Sequence, residues 1–140
     1  MSGPYHPVFV HFPIALYFVG LLLTASYLWR KKPEDDYFAY RAFLWSLISA
    51  IIASLAGLVD RGQLAYDDPR TPELNLHITY AVLFIIFSGL VVYCRFRWPD
   101  ILQSSQRWWY LTLIFIGAVM ITVAGWSGGE LVYKWGIGIR

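Results

Sequence analysis

The chain has 140 residues, of which 58% are hydrophobic, 19% aromatic and only 14% charged. That is too apolar for an ordinary soluble domain and too short for soluble helices to enclose four buried ones. A formal net charge of +2 gives no footing for a nucleic-acid partner, and a single cysteine, Cys94, excludes an internal disulfide and a cysteine metal cluster.

The first apolar run, residues 8–29, opens on His6-Pro7-Val8-Phe9-Val10-His11-Phe12-Pro13-Ile14-Ala15. Crossing the hydrocarbon core takes about 20 apolar residues, so the run predicts a transmembrane helix. It lacks the basic leader and small-residue cleavage pattern of a secretory signal, and is expected to be retained. Pro7 suits a first helical position, which leaves His6 just outside the helix. A connection with Arg30, Lys31, Lys32 and Arg41 follows.

The second run, residues 43–59, carries Ser46, Ser49, Ala50, Ala53, Ser54 and Gly57. Small residues serve close helix packing and equally leave room for a bound group. The run ends at Asp60-Arg61, where a carboxylate opposes the helix dipole and needs a partner. Arg61 and Arg70 are two candidates. An imidazole N–H is a third, and such a carboxylate would orient the ring.

A loop rich in turn formers spans residues 60–76. His77 then begins the third run, residues 78–93, after which come Arg95, Arg97 and Arg107. The fourth run, residues 108–126, closes on Gly125-Trp126-Ser127-Gly128-Gly129-Glu130. Trp126, Tyr133 and Trp135 read first as an interfacial aromatic belt.

These runs predict an all-α integral membrane four-helix bundle, up-down-up-down, forming one domain over residues 1–140. The first and third connections hold seven Lys or Arg, against four elsewhere. The positive-inside rule therefore places both termini and the 60–76 loop on the outer face. His11 stands 19 residues from Arg30, and His77 stands 18 from Arg95. At about 1.5 Å per residue, each lies roughly 27–29 Å from the basic face. Two imidazoles at one depth on diagonal helices suit the axial positions of a flat macrocycle. The expected ligands are His11 and His77, with His6 as an alternative. Asp60 would be a second-layer acceptor, Arg61 would face propionates, and Trp126 would lie nearby.

The opening His-Pro run, with Gly57-Leu58-Val59-Asp60, His77 and Gly128-Gly129-Glu130-Leu131-Val132-Tyr133, resembles a bacterial predicted-membrane-protein family, domain of unknown function 2231. The likeness covers nearly the whole chain and implies a four-helix membrane domain. Relatives of this type are joined to Rieske or cytochrome c-like domains, which implies a redox setting. This chain has no Cys-x-x-Cys-His attachment site, so any electron partner is a separate subunit.

The leading expectation is therefore a b-type cytochrome-like subunit of the bacterial inner membrane. One non-covalent haem b would lie between the first and third spans, near a periplasmic face. Its partners would be the lipid bilayer and a Rieske subunit, a cytochrome c-type subunit or quinol. The alternatives are a non-haem histidine metal site, with copper or zinc, and a structural subunit of a larger membrane complex or homo-oligomer. No nucleophile–base pair or phosphate loop supports a stand-alone enzyme.

Overall fold

In the computed structural model, which describes residues 9–61 and 68–137, every regular element is helical. The helices are α1 (His11–Arg30), α2 (Pro33–Arg61), α3 (Thr71–Arg97) and α4 (Arg107–Tyr133), with a 3₁₀ turn at Ile101–Gln103. All four are long and apolar enough to cross a membrane. The expected four-helix membrane architecture is borne out.

Three helices outrun the apolar segments that predicted them. α2 starts ten residues before Phe43, at Pro33. Proline is at home in a first turn, and Glu34, Asp35 and Asp36 there complement the helix dipole. Hydropathy marks the hydrocarbon layer, whereas helix propensity carries each element on into the polar interface.

The first turnaround is tight. α1 ends at Lys31, which adopts a left-handed conformation (φ 56°) and closes its N–H on the Tyr27 carbonyl at 2.8 Å. The α3–α4 connection is anchored differently: Ile101 and Leu102 of the 3₁₀ turn are buried in the core.

α1 packs chiefly on α2, and α3 on α4; lighter α2–α3 and α1–α4 contacts close the ring. α1 and α3 are therefore diagonal. Tyr17 of α1 occupies the centre and is 0% exposed. Its ring meets Phe43 of α2 edge-on at 4.9 Å and Phe84 of α3 at 5.2 Å. Its hydroxyl donates to the Ile114 carbonyl of α4 at 3.0 Å. One side chain thus ties all four helices together.

The small residues serve this packing. A Cβ on Gly117 would lie 2.0 Å from the Tyr17 hydroxyl oxygen, and one on Gly20 would lie 2.8 Å from Phe43. Ala50, Ala53, Ala118 and Ala124 are buried. Ser46 donates to the Pro13 carbonyl at 2.8 Å, fastening α2 to α1. Side chains fill the bundle centre at the level of Tyr17. The outward faces carry Leu22, Leu55, Phe115 and similar exposed apolar residues, as lipid contact requires.

Candidate functional site at the histidine end

His77 lies early on α3, half-buried against α4. Its Nδ1 is 3.0 Å from the Ser127 hydroxyl. Ser127 itself donates to the Ala124 carbonyl at 3.0 Å. The ring rests over Gly128, where a Cβ would come within 3.1 Å of His77 Cε1. A side chain at 128 would require the ring to shift by a few tenths of an ångström.

His11 points elsewhere. It is exposed in the first turn of α1, while Pro13 and Tyr17 carry the buried stripe of that helix. Ile14 packs toward Gly125 of α4, within 3.4 Å of a Cβ built there. His11, three residues earlier, sits about one turn further toward the end of the bundle. His77 is thus seated on α4, while His11 is exposed on α1.

Tyr17 touches Phe84 across the α1–α3 diagonal, six and seven residues deeper than His11 and His77, or roughly 10 Å at about 1.5 Å per residue. Among the described residues, no three His, Cys, Asp or Glu side chains are grouped to hold a metal ion. His6 lies outside the described residues. Asp60 and Arg61 end α2 at this same end of the bundle, and their side chains also lie outside the described positions.

Trp126 is 74% exposed on α4. With Gly125, Gly129, Glu130, Tyr133 and Lys134 it lines a shallow groove of about 420 Å³ along the outside of that helix. Gly125 and Gly129, one turn apart, form its floor. Gly129 is open: a Cβ there meets no described atom within 4 Å. Sequence reading missed the roles of Ser127 and Gly128, although the glycine-rich close of the last span was their signal.

The loop entering α3 is held by charge. Arg70 donates to both carboxylate oxygens of Asp68, at 2.8 and 2.6 Å, and to the Trp135 carbonyl at 3.3 Å. The Arg70 guanidinium and backbone N–H hold the Asp68 carboxyl down at about 2, against an ordinary 3.8. A depressed carboxylate contributes in full above its unfolded value and loses that contribution as pH falls through the folded one. The Asp68–Arg70 clasp should therefore hold in full down to about pH 4 and loosen toward pH 2. Fluorescence of Trp135, whose carbonyl accepts from Arg70, should report the loosening, and Asp68→Asn should abolish the transition.

Residues 2–140 match the family model described as Predicted membrane protein (DUF2231). Neither a curated protein nor a solved structure matches the chain.

Proposed function

The chain belongs to the predicted membrane proteins of DUF2231, and from that membership and the geometry of its histidine end we propose that it is a membrane-embedded subunit of a larger complex. The observation that carries this reading is the α4 groove. Its glycine floor suits the close approach of another helix backbone. Glu130 lines it as an exposed carboxylate in the polar stretch just beyond the fourth apolar run, and exposed His11, inside the first run, stands in the first turn of neighbouring α1. Ionisable groups facing lipid are costly. A partner transmembrane helix with a cation or hydrogen-bond donor at that level relieves the cost.

Gly129→Leu tests this without disturbing the bundle, since its Cβ has open space. The variant should keep the wild-type Tm in detergent yet lose most of the high-mass assembly on native gels of solubilised membranes. Glu130→Gln should weaken assembly less. Unchanged assembly in both would sink the reading.

A redox role keeps one supporting observation. The Ser127 contact at Nδ1 fixes the orientation of the His77 ring, as the outer partner of a metal-ligating imidazole does. A dithionite-reducible Soret band in the purified assembly, lost in His77→Ala, would move that reading to first place. The seven-to-four cation asymmetry supports an inner-membrane orientation with the histidine end periplasmic. Reporter fusions at the C-terminus should be active on the periplasmic side.

A further inference from the structure

The opposite end of the bundle carries Arg30, Lys31, Lys32, Arg41, Arg95, Arg97 and Arg107, with Glu34, Asp35, Asp36 and Asp100. Two of the acids are spent internally, Asp35 on Arg30 and Asp36 on Arg95. Glu34 and Asp100 are exposed. Among the described residues, Lys31, Lys32, Arg41, Arg97 and Arg107 make no ion pair.

Four of those five are seated on aromatic rings. Lys31 lies 5.6 Å from the Tyr27 centroid, Arg41 5.0 Å from Tyr37, Arg97 5.6 Å from Trp98 and Arg107 5.1 Å from Trp108. A ring face steadies a cation without neutralising it and leaves N–H donors for an anion. Tyr37, Trp98 and Trp108 are themselves exposed, at the level where aromatic belts meet headgroups. Buried Ile101 and Leu102 fix the connection between Arg97 and Arg107. Exposed Phe96 and Trp109 beside them offer apolar walls to acyl chains.

We propose that this end is a binding ring for anionic phospholipid headgroups, built from aromatic-seated cations. Phosphate oxygens meet Lys31, Arg41, Arg97 and Arg107 from outside, while the acyl chains run along the apolar faces of α3 and α4. The ring is independent of the α4 groove and of whatever the histidine end binds.

The test uses the full chain in nanodiscs of phosphatidylcholine, with and without phosphatidylglycerol. The expected results are a higher Tm with phosphatidylglycerol, and several-fold enrichment of that lipid over phosphatidylcholine in native mass spectra after release. Both should fade at high salt. The combined variant Lys31→Gln, Arg41→Gln, Arg97→Gln, Arg107→Gln should lose the enrichment. Arg97→Lys with Arg107→Lys, which keeps the charge, should retain most of it and guards against a folding defect in the first variant. Equal retention of the two lipids by the wild type, or undiminished enrichment in the glutamine variant, overturns the proposal. So does a Tm rise of the same size from inorganic phosphate alone.

Discussion

Gly117→Val should be among the most damaging single substitutions in this chain, lowering stability by about 3–5 kcal/mol. The reason is local and geometric. Even the first added carbon would lie 2.0 Å from the Tyr17 hydroxyl oxygen and 2.7 Å from its Cζ. Tyr17 has nowhere to retreat, because Phe43 and Phe84 hold its ring edge-on from two sides. The substitution therefore costs the bond to the Ile114 carbonyl, two aromatic contacts and the packing around them. Thermal unfolding in detergent measures the loss. Tyr17→Leu in the same chain should restore part of it, since the removed ring vacates the space. A wild-type Tm for Gly117→Val would mean that the bundle centre is not closed as described, and would reopen room for a cofactor.

The second large effect belongs to the Asp36–Arg95 pair, which joins the start of α2 to the end of α3. Both side chains are only 12% exposed. Arg95→Ala removes the cation and leaves Asp36 largely buried without it. Breaking one half of such a pair costs about 3–5 kcal/mol, whereas replacing both by apolar residues is often near neutral. Arg95→Ala should thus be much worse than the double substitution Asp36→Leu with Arg95→Leu. Denaturant titrations of the two variants provide the comparison; equal losses would show that the charges are solvated. The pair also consumes the most buried cation of the basic end, which is why the lipid-facing charge falls to the aromatic-seated residues.

The His11 and His77 positions show where sequence reading reached its limit. Counting from Arg30 and Arg95 places both near one end of the bundle, and both are found there. Counting does not give the direction in which a side chain points. Each residue advances a helix by about 100°, so two residues separate exposed His11 from buried Pro13. The α1 stripe that turns inward is the one containing Pro13, Tyr17, Gly20, Thr24 and Tyr27. Nothing in the apolar run marked it, because nearly every neighbour was hydrophobic too. In a soluble helix the polar face would have betrayed the inner one. In a membrane helix both faces are apolar, and that signal is lost.

The same loss explains Tyr17. It stood unremarked in the first run, yet it organises the centre. Gly117 gave no hint of its purpose until the tyrosine hydroxyl was seen above it. Ser127 and Gly128 were recognised as part of an unusual glycine-rich close, but their tie to His77 crosses 50 residues.

What the sequence determined alone was the solvent and the number of crossings. Four apolar runs, separated by short polar connections, leave the backbone no other way to satisfy its hydrogen bonds in lipid. What only the tertiary structure decided was the rotation of each helix about its own axis. That angle is set by which large ring finds which missing side chain, Tyr17 at Gly117 and Phe43 at Gly20. It is a matter of packing between distant residues, and it is what left His11 exposed on α1 and seated His77 on α4.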